Sequence, residues 1–306
     1  MDTKQIEYIL KIAEENNITK AAEKLFITQS ALNQQLLKLE KELGTPLFHR
    51  SRTNWRLTEA GEIYIEGAKA ALQIKNTTYN RIYDVVSARK GHLTIGLTPG
   101  RGLRMFTAIY PELHRSFPNL DVRPIEMRVR AQQDAIAKGD IDVGLMTLTQ
   151  KDQTSDTYYP LKQEELVLII PSGHPLSEKA APSGEPLATM DLSELRYEPF
   201  VLMDKTSTLR SSCDLLFEKA GFAPNILFET NNTSGIAAMV QSTLCCGIIP
   251  RYYTLGLTEG VACFSLPERP SWEIVISCQK NGYLNSGARE FIRLAREYWE
   301  NSVPLF

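Results

Sequence analysis

The chain has 306 residues, 43% hydrophobic and 23% charged, with a formal net charge of −2. At about 150 residues per domain that is two domains with ample chain for a core, and the composition excludes wholesale disorder. No apolar run reaches the ~18 residues of a membrane span and the N-terminus lacks a secretory h-region. Five Cys without a CxxC pair fit a reduced, cytoplasmic interior.

The first 90 residues read as helical and basic, with 14 Lys/Arg against 11 Asp/Glu, whereas the remainder carries 20 against 25. Residues 16–56 concentrate the excess, seven basic to three acidic, which suits a polyanionic partner. Ile6, Ile9, Leu10, Ile12 and Ala13 give one apolar face to a helix over 3–15. Thr19 is placed to cap a second helix with Ala21, Ala22 and Leu25 inward. Thr28 opens a third, whose inward stripe is Leu32, Leu36, Leu39 and Leu43 and which Gly44 ends. Residues 45–57 read as a hairpin with Arg50, Ser51, Arg52, Thr53 and Asn54 at its tip. Thr58 caps a long helix to about residue 88, roughly 45 Å at 1.5 Å per residue. Its thin seam of Ala60, Ile63, Gly67, Ala71, Ile74, Thr78, Ile82 and Val85 invites a second copy of itself. Gly61 and Gly67 on this helix imply close backbone approach or fraying.

From Gly91 strands and helices alternate. HLTIGL, DVRPIEM and IDVGLMTL are strands separated by two helices, a βαβαβ pattern that predicts a parallel sheet covered by helices. The pattern restarts with EELVLIIP and FVLM, and later strands VACFSL and WEIVISCQ precede a last helix. Two α/β halves, with segments near 150–165 and 265–270 crossing between them, predict a cleft spanned by hinges.

Residues 18–65 carry the most specific signal. Ala21, Ala22, Leu25, Gln29, Ala31, Gln35, Leu39, Glu40, Leu43, Gly44, Leu47, Phe48, Arg50, Leu57, Thr58, Ala60 and Gly61 match, at fixed offsets, the head of the LysR-type transcriptional regulators, and the chain resembles that family along its whole length. The resemblance implies an N-terminal all-α winged helix-turn-helix plus long linker helix, and a C-terminal α/β two-lobed effector domain of periplasmic-binding-protein type. The expected bounds are 1–58 for the DNA-binding domain, 59–90 for the dimerising linker and 91–306 for the effector domain. Lobe I is then about 91–161 with 267–306, and lobe II about 162–266. The implied function is an effector-responsive regulator of transcription, not an enzyme and without a cofactor. Its expected partners are double-stranded operator DNA, a small-molecule inducer, and further copies in a dimer or tetramer. RNA polymerase is a further candidate partner, and no membrane is expected.

The third helix supports this reading from the residues alone. With its leucines inward, Gln29, Ser30, Asn33, Gln34, Leu37, Lys38 and Lys41 face outward. Amides near the N-terminus of a recognition helix can pair with adenine edges, and lysines suit phosphates. The candidate DNA-binding residues are Thr28, Gln29, Ser30, Asn33, Gln34, Lys38, Arg50 and Arg52, the last two on the wing. A merely solvated polar face is the plain alternative, which the position within a matching head disfavours. The sequence departs from the family where Ser30 replaces Pro and Asn33 replaces Ser, which puts the identity of the bases read in question.

Two strand-to-helix turns, around Thr98-Pro99-Gly100-Arg101 and Thr206-Ser207-Thr208, present hydroxyls and free N–H groups where anions bind well. In the family these turns face each other across the effector cleft. By the same resemblance Arg128, Thr147 and Asn231 border it, giving Thr98, Gly100, Arg101, Arg128, Thr147, Thr206, Ser207, Thr208 and Asn231 as effector candidates. The basic residues among them and nearby (Arg104, Lys205, Arg210) favour a small anion. Ser and Thr that merely cap helices are the alternative.

Other chemistries find little support. Gly100-Arg101-Gly102 lacks the third glycine of a dinucleotide site, the four histidines have no ligand spacing, and no GxSxG is present. Cys245-Cys246 reads as buried packing rather than a redox pair. A ligand-binding or enzymatic α/β protein with an incidental helical head is the competing function, which the head motif and basic wing disfavour.

Overall fold

The computed structural model describes residues 2–51, 55–86, 89–182, 184–255, 257 and 259–301. Its contacts group residues 1–92 with 138–140 into one unit, and 93–137 with 141–306 into another.

The first unit begins with α1 (Thr3–Glu15), α2 (Ile18–Lys24) and α3 (Gln29–Leu43). The two-residue strands β1 (Phe48–His49) and β2 (Arg56–Leu57) pair antiparallel as the base of a wing. The long helix α4 (Glu59–Val85) follows. Ile9, Ile12, Ala21, Leu32, Leu36 and Leu39 meet Leu47 and Phe48 in one core, so the 4- and 3-residue spacings do close a face. Leu43 does not join them. It is 46% exposed, and Glu40 turns inward in its place, its Oε1 accepting the Leu47 N–H at 2.8 Å. The cap of α2 is Asn17 rather than Thr19, its amide oxygen accepting from the N–H groups of Thr19 and Lys20 at 2.9 and 3.0 Å. Thr28 and Thr58 cap α3 and α4 as expected, and Gly44 takes φ +71° at the end of α3. Gly61 is required by close approach, since a Cβ there would lie 2.1 Å from the Leu47 carbonyl oxygen. Gly67 faces open space instead. The predicted hairpin tip at Arg52, Thr53 and Asn54 and the predicted end of α4 near 88 lie outside the described residues.

The second unit runs β3 (Lys90–Leu97, entered from the first), α5 (Arg101–Ser116), β4 (Asn119–Glu126), α6 (Val129–Lys138) and β5 (Val143–Leu148). It continues with β6 (Thr157–Pro171), β7 (Pro199–Met203), α7 (Thr208–Lys219), β8 (Asn225–Thr230), α8 (Thr233–Gln241) and β9 (Gly247–Pro250). Strands β10 (Val261–Ser265) and β11 (Ser271–Cys278) and helix α9 (Ser286–Asn301) complete it. The sheet order is β10-β6-β11-β5-β3-β4, with β9 also on β6 and β7-β8 forming a separate pair. Strand β6 serves both lobes: Thr157–Glu165 pairs with β11, whereas Val167–Pro171 pairs with β10 and Leu166–Ile169 with β9. The parallel pairing expected of the βαβαβ run is present at β3-β5, within a sheet that as a whole is mixed. β3-β5 and β7-β8 are parallel, but β11 lies antiparallel to both β5 and β6, because it returns from far along the chain to insert between them. One lobe packs Leu93, Ile95, Leu97, Phe106, Phe291 and Trp299 into its core; the other packs Leu168, Phe200, Phe217, Ile248 and Phe264.

Candidate DNA-binding face and effector cavity

On α3 the residues facing away from the core are those that the stripe leaves outside. Thr28 Oγ1 accepts the Ala31 N–H at 3.2 Å and lies 3.1 Å from Ser30 Oγ, which fixes the start of the helix. Gln29, Ser30, Gln34 and Lys38 are exposed and Asn33 is half-buried. Amides thus occupy the first turns and a free-standing ammonium the next, with the helix N-terminus supplying a positive dipole end. Arg50 is engaged already. It pairs with the inward Glu40 and lies 5.6 Å from the Trp55 ring, with its side chain 38% exposed. Arg52 lies outside the described residues.

In the second unit one cavity of about 1020 Å³ opens between the lobes. All nine candidate effector residues line it: Thr98, Gly100, Arg101 and Thr208 at the starts of α5 and α7, Arg128 before α6, Thr147 on β5, Thr206 and Ser207 after β7, and Asn231 after β8. Their chemistry is not what the turns alone suggest. Ser207 Oγ caps α7, accepting the Leu209 N–H at 3.2 Å. Thr208 Oγ1 donates to the Thr147 carbonyl at 3.0 Å and so ties the lobes together. Thr98 Oγ1 is buried with no hydrogen-bond partner, an orphan at the cavity wall.

The expected anion-binding arginines are largely committed elsewhere. Arg101 is sealed within the wall, its side chain 3% exposed, with Nη1 2.5 Å from Glu164, which is fully buried. The guanidinium carbon lies 4.9 to 5.8 Å from the rings of Tyr252, Tyr253, Trp272 and Trp299. Burial works against its charge, but Glu164 and Tyr253 outweigh that and hold the Arg101 pKa above its ordinary value. Glu164 also accepts the Trp272 Nε1–H at 2.7 Å and the Tyr252 N–H at 2.9 Å. The charge of Arg101 is therefore balanced within the wall by Glu164. Arg210 binds Asp214, Glu229 and the Met203 carbonyl. Arg128 crosses from one lobe to Asp204 (2.7 Å) and Thr206 of the other. Although burial raises it, hydrogen bonds donated by the Thr206 hydroxyl, by Arg128 and by the Thr206 N–H hold the Asp204 pKa below the usual carboxylate value. Among the described lining residues Arg104 is the cation without an acidic partner.

Sequence reasoning missed the aromatic wall of Tyr252, Tyr253, Trp272 and Tyr298 with Leu255. It also missed Glu164, whose place at the start of an apolar run resembles a solvent-facing strand end. The cysteines are reduced and mostly buried. Burial raises the thiol pKa of Cys245 from 9.0, and that of Cys246 to about 12, aided by Glu198. Among the described residues there is no cluster fit for a metal and no helix long and apolar enough to cross a membrane.

Comparison with known proteins bears on both units. Residues 3–62 match the bacterial regulatory helix-turn-helix protein family model of LysR type, and residues 87–300 match the LysR substrate binding domain. The chain is 29% identical to the HTH-type transcriptional regulator YcgK of Bacillus subtilis (strain 168), over 97% of this chain and 94% of that one. Among solved structures, a full-length OxyR variant of Pseudomonas aeruginosa superposes with a TM-score of 0.68 at 22% identity, covering 98% of this chain and 95% of that one. The LysR family regulator CbnR gives 0.65 at 20% identity, covering 97% and 99%. At such identities the two structures show a shared fold.

Proposed function

Since the chain belongs to the LysR family and is a DNA-binding, effector-responsive transcriptional regulator rather than an enzyme, we propose how its own residues divide that work. Gln29 and Asn33 read bases from the first turns of α3, while Lys38 and the exposed part of Arg50 hold phosphates. The observation that carries this is the amide-rich, uncharged outer face of the first two turns, exposed beside a helix N-terminus.

A small effector enters the cavity between the lobes. It lies against the aromatic wall, with Thr98, Thr147 and Asn231 supplying polar contacts and Arg104 balancing at most one negative charge. Arg101, Arg128 and Arg210 are already paired, which supports a weakly anionic or neutral molecule with an apolar body over a multiply charged one. The protein works as a homodimer joined along α4, and as a tetramer where effector domains also pair. Exposed Ile63, Ile74, Ile82 and Val85, the last 84% exposed, support this because a solitary helix would leave them in water. Two such heads call for an operator that is an interrupted inverted repeat, and RNA polymerase is the partner that regulator would meet there. The cytoplasm is where all of this takes place.

The test compares Gln29→Ala with Lys38→Ala by gel shift on a duplex selected from a random library and on random DNA. Gln29→Ala should cost about 1–3 kcal/mol on the selected duplex and little on random DNA. Lys38→Ala should weaken both alike and lower the salt slope by about one ion. Equal losses on both duplexes for Gln29→Ala would show that the face is assigned wrongly.

A further inference from the structure

Phe26 lies in the turn between α2 and α3, 95% exposed and with φ +55°. The backbone around it terminates α2 with two bonds of 3.1 Å, from the Ile27 N–H to the Ala22 carbonyl and from the Phe26 N–H to the Glu23 carbonyl. That termination places its left-handed residue where glycine or asparagine is favoured, because a larger side chain is strained there. Leu25 and Ile27 on either side pack against the core of the head. Phe26 therefore combines backbone strain with an apolar ring in water and gains no packing within the chain. A strained residue that the fold does not need marks a functional position. Thr28 begins the N-terminus of α3 two residues later, and Gln29 follows it.

We propose that Phe26 is a specificity-determining residue of the head, laying its ring on a thymine 5-methyl group in the major groove beside the base pair read by Gln29. The inference rests on the reading that α3 presents Gln29 to bases. A phenyl ring offers no donor or acceptor, so it has nothing to give a phosphate. The thymine methyl is the apolar feature that base edges present in that groove, and an adenine paired by a glutamine amide brings a thymine opposite it. The turn and the first turn of α3 are contiguous, so one approach of the head brings both to the same groove. On this account Phe26 extends readout by one apolar contact that hydrogen bonding cannot supply.

The experiment uses the full chain and a duplex selected by it from a random-sequence library, with each thymine replaced in turn by uracil, which removes only the methyl group. Phe26→Gly and Phe26→Asn both relieve the left-handed strain and should melt no lower than the parent, so lost binding cannot be ascribed to unfolding. Both should bind the selected duplex about fourfold or more weakly while binding random DNA like the parent, the loss expected when one buried methyl is no longer covered. Uracil at one position should weaken the parent about fourfold, the value of one buried methyl, and leave Phe26→Gly unaffected. Unchanged affinity of both variants for the selected duplex overturns the proposal. So does a parent insensitive to every uracil substitution, which would put the ring on a sugar. If the parent enriches no sequence at all, the underlying reading of α3 fails and takes this one with it.

Discussion

Replacing Glu164 by glutamine removes one charge and almost no volume, yet it should be among the most damaging changes available in the effector domain. The carboxylate takes Arg101 Nη1 and Trp272 Nε1 on one oxygen and the Tyr252 N–H on the other. A glutamine has a single acceptor oxygen. Whichever way it is turned, its NH₂ group faces at least one buried donor, and Arg101 keeps its charge, with a side chain only 3% exposed, without a counter-ion. Breaking one partner of a buried pair costs about 3–5 kcal/mol, and the four surrounding rings do not offset it, because they face the cation equally in the parent and in the variant. Equilibrium urea unfolding of the full chain reads the change directly, because Trp272 and Trp299 flank the site and are two of the three tryptophans. Glu164→Gln should lower stability by about 3–5 kcal/mol, and Arg101→Met combined with Glu164→Gln should recover part of it, since no unpaired charge is then left behind. A loss below about 1 kcal/mol for Glu164→Gln would refute the view of Arg101 as a sealed structural cation and return it to the pool of ligands for an anion.

Other substitutions test other parts of the account. Gly61→Ala would drive a Cβ to 2.1 Å from the Leu47 carbonyl oxygen and should destabilise the chain by about 1–3 kcal/mol in thermal unfolding. Gly67→Ala, with open space around it within one protomer, should instead stabilise α4 by about 0.5–1 kcal/mol in the monomeric chain. Ile74→Asp with Ile82→Asp should shift the chain toward monomer in light scattering, because self-association would bury two charges; an unchanged mass would place the interface off this seam. The buried thiols give a pH dependence whose sign follows from their raised pKa values. The folded state disfavours thiolate, so stability is intact below the unfolded value near 9 and declines as pH rises toward the value of about 12 at Cys213 and Cys246. At neutral pH both should react with a disulfide reagent only as fast as the chain unfolds, and rapid labelling of the native protein would contradict their burial.

The parts legible in the sequence are those encoded locally. The spacing of Leu32, Leu36 and Leu39, the caps Thr28 and Thr58 and the stop at Gly44 all depend on residues within a turn or two of each other. Local rules gave a wrong answer where two neighbours qualified: Asn17 caps α2 because its amide oxygen serves two N–H groups, so Thr19 falls inside the helix as one of the residues it caps. Leu43 fitted the stripe but lies in the last turn, and Glu40 turns inward because Leu47 and Arg50 give its carboxylate partners. The cavity shows the same division. The Gly, Ser and Thr turns announce themselves beside strands, and the nine residues do gather around one cavity. What each hydroxyl or guanidinium does there is set by partners far away in sequence. Thr208 meets the Thr147 carbonyl 61 positions away, and Arg101 meets Glu164 at a separation of 63. The mixed sheet was hidden for that reason too, since nothing within SWEIVISC names β5 and β6 as its neighbours.

The central claim is that this cavity takes a small molecule whose binding is linked to that of operator DNA, and calorimetry on one ligand tests it. A thermal-shift screen of small carboxylates and neutral aromatic metabolites supplies the ligand, and Thr98→Val should weaken it by about 0.5–3 kcal/mol, because Thr98 Oγ1 is the buried wall atom lacking a partner. Ligand affinity is then measured with and without the selected duplex, and duplex affinity with and without ligand. The account predicts that the two ratios are equal and differ from one. A ligand that Thr98→Val weakens, yet whose affinity is the same with and without the duplex, would contradict it.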